Sequence, residues 1–538
     1  MVSVRGGAYP DILHNVETRG RVVRLKSLRN VQVPLRFAGK LDAIAARELS
    51  VSSDDIRSVR VTRRSIDARG KAPKLVLTMD VALYSDDDLP PLDLASQLDR
   101  PAIATRKKKV VIVGTGPAGL FAALRCTDLG MPCVIIDRGG QLDNRHKKAR
   151  RLRADRVLDS ESNLCFGEGG AGTYSDGKLY TRKRSPLVRE VYRRLVEFGA
   201  SQDILVDAHP HVGTNRLIPI MAKMRDHLIS QGCDFRFDTR MNDLCVEDGA
   251  IRGIQTSAGD IAADALVLAT GHSARDTYAM LAAYGVPMES KPFAIGARVE
   301  HPQHLIDSIQ FGGSAGHPAL GAAEYFLRCQ VDSRGVYSFC MCPGGFVIPT
   351  PTEPGHLNVN GMSNSTRKNY FANAALVVTV EPTDFAPSGN ALEGLNFQRA
   401  IEKRTFDVGG GDYTAPATRL TDFVAGRAST TLPARTSFRP SLQAADLQDV
   451  LPSMITTAIR AAIRRFDRQL RGYLTDDAVI IGSETTTSSP IRILRDETLQ
   501  CPSISGLYPT GEGAGYAGGI VSSAMDGIRV VDRLLAQN

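Results

Sequence analysis

Three glycines and one carboxylate at a fixed spacing are the most chemically specific pattern in this sequence. Gly114, Gly116 and Gly119 form G-x-G-x-x-G directly after the apolar run 110–113. In this pattern the first glycine permits a tight turn, the second lets backbone N–H groups approach a pyrophosphate, and the third lets a helix pack closely on a sheet. Asp137 follows at about the 20-residue distance where an acid binds a ribose hydroxyl. The spacing therefore predicts a dinucleotide-binding site.

The flanking residues supply the elements that such a site requires. Four β-branched residues at 110–113 predict a strand buried on both faces of a parallel sheet. Pro117 suits the first position of a helix, and apolar residues then recur at helical spacing. A second apolar strand at 133–136 ends at Asp137. We therefore expect a strand, a turn, a helix and a second strand to hold the glycines and the acid around one cofactor.

The composition fits a large globular enzyme. The chain has 538 residues, of which 43% are hydrophobic and 23% charged, so it is long enough for two or three domains. It lacks an apolar run of membrane-spanning length and the apolar core of a signal peptide, which predicts a cytoplasmic protein without a membrane partner. Nine scattered cysteines without metal-ligand spacing predict reduced thiols and no metal site.

The pattern along the chain predicts an α/β protein with a discontinuous cofactor domain. Residues 1–100 are expected to form a small N-terminal α+β module. The cofactor domain is expected at 105–275 and again at 496–538, where a second glycine-rich turn precedes a final helix. The segment between them, 276–495, is expected to be an inserted α+β substrate or cap domain.

Apolar periodicity predicts the individual elements. Period-two or continuous apolar runs predict strands at 59–62, 74–83, 235–246, 251–256 and 261–270. Apolar residues at helical spacing predict helices at 43–48, 187–198, 218–229, 451–470 and 520–535. An acidic, proline-containing stretch at 86–91 is expected to open a linker after the N-terminal module.

Two further motifs accompany the fingerprint and indicate which dinucleotide is bound. The apolar run 265–268 ends in Ala-Thr-Gly at 269–271, and Gly511 and Glu512 open the late glycine-rich turn. This layout resembles FAD-binding flavoproteins of the glutathione-reductase type, which implies a Rossmann-like domain, FAD as the cofactor and a ribityl contact from Glu512. The residues expected to bind FAD are Gly114, Gly116, Pro117, Ala118, Gly119, Asp137, Arg138, Gly170, Ala171, Gly172, Thr173, Ala269, Thr270, Gly271, Gly511, Glu512, Gly518, Gly519 and Ile520.

Longer blocks of sequence are typical of a bacterial family of FAD-dependent dehydrogenases. They lie at 65–69, 167–178, 210–214, 291–293, 300–303, 338–345, 360–363 and 511–520. The resemblance implies flavin redox chemistry but names no substrate. Two positions depart from the family pattern, with Thr486 in place of a usual arginine and Thr510 in place of a usual cysteine. The missing arginine would remove a fixed cation able to hold a carboxylate or phosphate.

The glycine-rich loop 167–178 carries two candidates for catalysis. Tyr174 and Lys178 are polar groups that could face the reactive edge of the flavin. A cation near the flavin N1–C2 side would stabilise the reduced anion electrostatically. The structural alternative for Lys178 is a salt bridge with Asp176 or Glu168.

His272 and Glu484 are further candidates for catalysis, and two neighbouring cysteines are considered beside them. His272 follows the Ala-Thr-Gly strand end, so it either lies near the flavin or serves as a hydrogen-bonding surface residue. Glu484 is a candidate general base, with capping of its Thr/Ser-rich loop as the alternative. Cys340 and Cys342 are separated by one residue on an extended chain, so their side chains are expected to point to opposite faces and to serve in packing.

We therefore expect an FAD-dependent oxidoreductase of the dehydrogenase or oxidase type. It would transfer a hydride between a small organic substrate and flavin N5, with NAD(P)H or another redox partner as a further reactant. A flavin monooxygenase is the first alternative, because one fold hosts both chemistries. A flavoprotein that acts on or binds RNA is the second, supported by the net charge of +8, the basic stretch 146–153 and the N-terminal module. We do not expect a nucleic-acid partner.

Overall fold

A four-stranded antiparallel sheet begins the computed structural model, which describes residues 12–18, 21–70, 72–84, 89 and 108–536. Its elements are β1 (Ile12–Thr18), β2 (Arg21–Pro34), α1 (Leu41–Leu49), β3 (Ile56–Asp67) and β4 (Lys74–Leu83), with the strand order β1-β2-β4-β3. Alternate residues of β4, such as Leu77 and Met79, are buried together with Ile44 of α1. The predicted strands at 59–62 and 74–83 and the helix at 43–48 lie within β3, β4 and α1. Apart from Leu89, the predicted linker at 86–91 lies outside the described residues.

Residues 108–283 build most of a parallel sheet and its flanking helices. The strands are β5 (Val110–Val113), β6 (Val134–Ile136), β7 (Asp234–Arg236), β8 (Met241–Glu247), β9 (Ala250–Thr256), β10 (Gly259–Ala262) and β11 (Ala265–Leu268). The helices are α2 (Pro117–Asp128), α3 (Leu142–Asp155), α4 (Pro186–Glu197), α5 (Thr214–Ser230) and α6 (Arg275–Ala283). All four side chains of β5 and of β11 are buried, as expected for central strands covered on both faces.

Two of the predicted strands are each divided between two sheets. The predicted strand 235–246 is wrong as a single element, because β7 ends at Arg236 on the edge of the parallel sheet and β8 begins at Met241 in an antiparallel sheet with β9 and β10. Between them Asp238 has a positive φ of 50°. The predicted strand 261–270 is likewise divided into β10 and β11. In each case one predicted strand spans a change of pairing partner that the sequence does not reveal.

A large mixed sheet forms the core of the segment that follows. Its strands are β13 (Phe293–Pro302), β14 (Arg328–Val331), β15 (Arg334–Pro349), β16 (Val359–Ser363), β17 (Phe371–Val380), β18 (Ala415–Arg419), β19 (Leu442–Ala444) and β20 (Val479–Glu484), while β12 (Met288–Ser290) and β21 (Ile491–Ile493) pair with each other in a separate two-stranded sheet. The helices are α7 (Gln303–Phe311), α8 (Pro382–Phe385), α9 (Glu393–Val408), α10 (Leu420–Ala425) and α11 (Ser453–Gln469). The eight-stranded sheet has the order β14-β15-β17-β13-β20-β18-β19, with β16 paired to β15. Helix α11 buries its apolar side against this sheet.

The end of the chain completes the parallel sheet. Strand β22 (Leu507–Pro509) pairs with β11, and the sheet order is β22-β11-β5-β6-β7 with every pair parallel. Helix α12 (Ile520–Leu535) then packs on α2 so closely that a Cβ on Gly527 would lie 2.1 Å from the Ala118 carbonyl oxygen. The predicted Rossmann-like α/β fold is thereby confirmed, whereas the domain boundaries remain predictions. None of the helices in the described parts of the chain has the length and apolar character needed to cross a membrane.

Candidate functional site

The fingerprint glycines form a narrow turn between β5 and α2. Gly114 has a φ of 107°, and a Cβ there would lie 2.3 Å from the Ala269 carbonyl oxygen, so β5 and β11 approach too closely for a side chain. A Cβ on Gly119 would lie 1.9 Å from the Gly114 carbonyl oxygen. Gly116 differs, since a Cβ there would meet only Gly170 Cα at 3.8 Å. No side chain caps the N-terminus of α2, whose N–H groups are therefore available to an anion at the cavity wall.

Asp137 organises the loops around this turn. Its Oδ2 accepts hydrogen bonds from the backbone N of Thr115 at 2.9 Å and from the Thr115 hydroxyl at 2.6 Å. Its Oδ1 accepts from the backbone N of Gly139 and of Gly167, each at 3.0 Å. The carboxylate lines the cavity yet is only 7% exposed. Ribose binding by Asp137 stays a prediction, and the structure adds a role in joining three loops.

Arg138, also expected to bind FAD, is held by two acids. Its guanidinium pairs with Glu161 at 2.9 Å and with Asp276 at 2.8 Å, and it lies over the ring of Phe166, 4.5 Å from the centroid. Burial lowers the pKa of Arg138, but the two carboxylates outweigh burial and raise it. Arg138 therefore presents a fixed cation at the cavity wall.

A buried arginine that sequence reasoning did not single out supports the glycine-rich loop. Arg145 of α3 is fully buried and donates to the carbonyl oxygens of Asn163, Leu164 and Glu168 at 2.6–2.8 Å. Arg145 directly precedes the basic stretch 146–153 in the sequence, but its N–H donors are used inside the protein. The backbone N of Gly169 then bonds the Thr115 carbonyl at 3.0 Å, which joins this loop to the fingerprint turn.

The 269–271 strand end and the 511–520 turn meet beside the fingerprint. A Cβ on Gly513 would lie 2.4 Å from the Gly271 carbonyl oxygen, so the two segments are in direct contact. His272 Nδ1 lies 3.5 Å from Glu512 Oε1, and both residues line the cavity. Burial raises the pKa of Glu512, opposed by the charges of His272 and Lys291. The structure thus brings two predicted site residues together at one wall.

The N-terminus of α12 points into the same cavity. Gly518, Gly519 and Ile520 line it, and added Cβ atoms on the two glycines would meet nothing within 4 Å. No side-chain cap satisfies the first N–H groups of this 16-residue helix. A helix N-terminus carries partial positive charge and stabilises an anion placed before it.

These segments enclose one cavity of about 1910 Å³. Sites for one drug-sized ligand occupy about 300–1,000 Å³, so this cavity has room for a dinucleotide and a second molecule. Its walls come from the parallel-sheet domain, from β15 and the loop after β20, and from the N-terminal module, where Arg64, Ile66 and Leu77 contribute. Arg64 also bonds Asp207 at 2.7 Å, which ties the module to the cofactor domain.

Lys178 belongs to a charged network that borders the cavity. Its Nζ lies 3.2 Å from Asp176 Oδ2 and donates to the Met341 carbonyl. Arg367, which sequence reasoning missed, pairs with both Asp176 and Glu324. Burial opposes the charge of Lys178, but Asp176 outweighs it and raises the pKa of Lys178, so the ammonium stays charged. The salt bridge predicted as an alternative is therefore present, with Asp176 and not with Glu168.

Tyr174 also lines the cavity, 7% exposed. Its hydroxyl has no hydrogen-bond partner among the described residues, and the Arg145 guanidinium lies 4.8 Å from the ring centroid. Burial raises the pKa of Tyr174 and keeps its proton in place. The group is thus a neutral donor without a protein acceptor.

Glu484 is separated from the cavity. Its two oxygens accept from Arg298 Nε at 2.6 Å and Nη2 at 3.0 Å, and both residues are almost fully buried, with side-chain exposures of 1% and 0%. The carboxylate is not among the residues that line the cavity. This placement does not support the predicted general base, because a charge held by Arg298 and removed from the cavity cannot reach a substrate proton. The placement does not support capping of the Thr/Ser-rich loop either, because Glu484 accepts its hydrogen bonds from Arg298.

The expected alternation of Cys340 and Cys342 is wrong. The pairing of β15 with β17 shifts on both sides of Cys342, and Cys340 has a φ of 44°. The bulge turns the Cys342 thiol back onto the preceding chain, where it donates a hydrogen bond to the Cys340 carbonyl oxygen at 3.3 Å. The expectation of opposite faces is also mistaken in its geometry, because side chains two residues apart on an extended strand share one face.

Aromatic and imidazole side chains that the sequence did not reveal form the rest of the cavity wall. Phe326, Tyr180 and Phe339 line it and remain 60%, 54% and 36% exposed. His211 lies beside Lys178, to which its backbone forms a bridge, and its Nε2 lies 3.2 Å from the Ser365 carbonyl oxygen. Burial and then the charge of Arg367 lower the pKa of His211, which keeps the ring neutral.

The two departures from the family pattern lie at different places on this wall. Thr486 lines the cavity, and its Oγ1 accepts from Asn358 Nδ2 at 2.7 Å. Thr510 is 1% exposed and donates to the Tyr508 carbonyl at 2.8 Å. Both hydroxyls are bonded within the protein.

Comparison with known proteins identifies the class of cofactor. A family profile described as "FAD binding domain" matches residues 109–146, and one described as "FAD-dependent protein, C-terminal domain-like" matches 292–487. A domain of unknown function matches 28–82. An uncharacterized protein of Clostridium beijerinckii is 39% identical over 510 residues, covering 92% of this chain and 95% of that protein. FAD is therefore the cofactor, as the sequence predicted.

Several solved structures are distantly similar. The glycine oxidase of Geobacillus kaustophilus is 11% identical with a TM-score of 0.36, over 81% of this chain and 96% of that one. A flavocytochrome c3 fumarate reductase is 12% identical with a TM-score of 0.33, over 80% and 79%. CtdE in complex with FAD is 10% identical with a TM-score of 0.31, over 80% and 84%.

Proposed function

This chain belongs to a bacterial family of FAD-dependent oxidoreductases, and we propose that it transfers a hydride between flavin N5 and a small organic substrate bound in the same cavity. The observation that carries the proposal is the continuity of that cavity. It is lined by glycine turns and two helix N-termini and also by charged and aromatic side chains. FAD, when bound, accepts or delivers the two electrons of the reaction.

The protein's own residues fit the cofactor at the glycine-rich end. The N-terminus of α2 and the open position at Gly116 suit the pyrophosphate, because backbone N–H groups there are free of side-chain caps. The N-terminus of α12 at Gly518 and Gly519 suits the anionic side of a reduced flavin, since a helix dipole favours negative charge. Glu512 and His272 are available for the connecting chain.

The remaining wall fits a substrate with an apolar part and a polar part. Tyr180, Phe326 and Phe339 offer exposed aromatic surface, which would hold a hydrocarbon or ring. Lys178 offers a donor on the same wall, whereas the hydroxyl oxygen of Tyr174 is buried behind it. A charged ammonium would orient a carbonyl or carboxylate oxygen and stabilise negative charge that develops on it.

Anaerobic reduction of the purified holoprotein tests the proposal. NADH, NADPH and a panel of small organic acids, amines and ketosteroid-like rings would be added in turn, while flavin absorbance is recorded. We expect at least one organic compound to bleach the oxidised flavin band without oxygen. Tyr180→Ala and Phe326→Ala should weaken that compound's apparent affinity at unchanged FAD content. Failure of every compound in the absence of oxygen, with reduction by NAD(P)H alone, would contradict a direct dehydrogenase.

The same preparation separates the two alternatives. A monooxygenase would couple NAD(P)H oxidation to oxygen consumption only when an organic compound is present. An RNA-linked flavoprotein would carry RNA through purification and lose it steeply with rising salt. Either outcome would replace the proposed dehydrogenase function by one of the alternatives, and the description of the FAD site would stand.

A further inference from the structure

Two thiols lie where the cavity wall is formed by the bulge of β15. Cys340 is partly exposed and lines the cavity, whereas Cys342 is fully buried and outside the lining. Cys340 is a non-glycine residue in the left-handed region, and the strand pairing is interrupted on both sides of Cys342. Local backbone strain of this kind persists only where the surrounding structure enforces it, and it clusters at functional sites.

Two cations surround the thiols. Arg298 Nη1 lies 3.9 Å from Cys342 Sγ and donates to the Cys340 carbonyl at 3.3 Å. Lys178 donates to the carbonyl of Met341, the residue between the two cysteines. Neighbouring cations favour a thiolate, which is the reactive form of cysteine.

The two sulfurs differ in their protonation. Interaction with the Cys342 thiol, together with the charges of Lys178 and Arg298, lowers the pKa of Cys340 to about 6, although burial opposes it. Interaction with Cys340 and burial raise the pKa of Cys342. At neutral pH the exposed sulfur is therefore a thiolate and the buried sulfur keeps its proton.

We propose that Cys340 and Cys342 are a redox-active pair that exchanges two electrons with the bound flavin through a Cys340–Cys342 disulfide. In the oxidising direction a bond forms between the two sulfur atoms, the S–H bond of Cys342 breaks, and two electrons and that proton pass to oxidised FAD. In the reducing direction the same two electrons and proton return and the S–S bond opens. The protein would thus store a second electron pair beside the flavin.

A second thiol pair in the same chain provides a matched control. The sulfurs of Cys133 and Cys233 lie 3.7 Å apart, close enough to interact. Both residues are buried in the hydrophobic core, and neither lines the cavity. Because neither thiol is reached from the cavity, we expect this pair to stay reduced.

Disulfide mapping tests the pair without reference to turnover. Holoprotein and apoprotein would each be treated with diamide, alkylated with iodoacetamide, digested with trypsin and examined by mass spectrometry. Cleavage after Arg334 and Arg367 leaves both cysteines, and no others, in the segment 335–367. We expect this segment to lose two hydrogen atoms and to escape alkylation until dithiothreitol is added, while Cys133 and Cys233 remain thiols. Full alkylation of the segment after diamide treatment would overturn the proposal.

Reductive titration then tests electron exchange with the flavin. Diamide-oxidised, desalted holoprotein would be titrated anaerobically with dithionite to complete flavin reduction. We expect wild-type protein and the Cys133→Ser control to take up four electrons per FAD, and Cys340→Ser and Cys342→Ser to take up two. Equal uptake by all four proteins would show that the thiols do not communicate with FAD. That result would leave the proposed hydride transfer standing, because organic substrates reduce the flavin in a separate assay.

Discussion

Among single residues, Gly116 gives the sharpest test of the cofactor turn. A valine there has room within the protein, since the first added carbon meets only Gly170 Cα at 3.8 Å and the backbone φ of −71° suits any residue. The same side chain would stand where the pyrophosphate approaches the backbone. We therefore expect Gly116→Val to fold with an unchanged melting temperature in the apoprotein and to lose its FAD, as measured by flavin absorbance per protein.

Gly119→Val is the matched control for this substitution. Its Cβ would lie 1.9 Å from the Gly114 carbonyl oxygen, so the turn itself must distort. We expect this variant to lose both FAD and thermal stability. Full flavin content in Gly116→Val would show that the pyrophosphate does not lie against this turn.

Glu484 distinguishes a structural from a chemical role. Replacing it by glutamine leaves the guanidinium of Arg298 buried without a counter-charge, which costs about 3–5 kcal/mol for a buried pair. We expect Glu484→Gln to lower the melting temperature strongly, and Arg298→Met combined with Glu484→Leu to lower it less. An unchanged melting temperature with lost turnover would restore the general-base hypothesis.

The extent to which single residues could be predicted depends on how local their signals are. Gly114, Gly119 and Asp137 could be predicted because the turn that needs them is built from residues close together in the sequence. The partner of Glu484 could not be foreseen, since Arg298 meets it only through the pairing of β13 with β20. The site of Cys340 depends on a strand bulge, which breaks the alternation that sequence reasoning assumes.

Among the elements, the loop that follows β20 carries one of the two departures from the family pattern. Thr486 lines the cavity there, so Thr486→Arg should add a cation to the substrate wall. A charge-assisted hydrogen bond is worth about 1.5–3 kcal/mol. We expect affinity for a carboxylate-bearing ligand to rise by about tenfold or more at unchanged FAD content, with Thr486→Gln showing no such gain. Binding would be followed through perturbation of the flavin spectrum, and equal affinities in all three proteins would separate Thr486 from the substrate.

The elements themselves were predicted best where periodicity is strong. Helices α4, α5, α11 and α12 lie within a few residues of their predicted positions, because their apolar sides recur at helical spacing. Strands were predicted less well, as β7 and β8 show, since an apolar run does not reveal which sheet it joins. Strands β1 and β2 carry many charged residues and were not predicted at all.

For the folded protein as a unit, stability should depend on pH through Glu300. This residue is 1% exposed, and burial raises the pKa of Glu300 to about 7, although hydrogen bonds from Ser437 and the charge of Arg439 oppose the shift. The folded carboxyl holds its proton where the unfolded one has released it, so this stability is present at low pH and is lost as pH rises through about 7. We expect Glu300→Gln to be more stable than wild type at about pH 8 by about 2–3 kcal/mol.

The measurement is a comparison of melting temperatures for the two proteins across pH. At about pH 5 Glu300 of the folded protein is still mostly protonated, so most of the stability that its ionisation removes is still present. The melting temperatures of wild type and Glu300→Gln should therefore converge there. Parallel curves over the whole range would mean that Glu300 ionises in the folded protein as easily as in the unfolded chain.

The chain order of the parallel sheet also constrains when the cofactor can bind. Strand β22 and helix α12 are synthesised after the other elements described, yet they complete the sheet beside β11 and contribute to the cavity wall. Domains generally fold in order of synthesis, so the large mixed sheet can form while the first half of the cofactor domain still lacks β22. We therefore expect FAD to bind only after β22 and α12 have been made, and a ribosome stalled before β22 would carry a chain whose nucleotide turn is formed but whose cavity is incomplete.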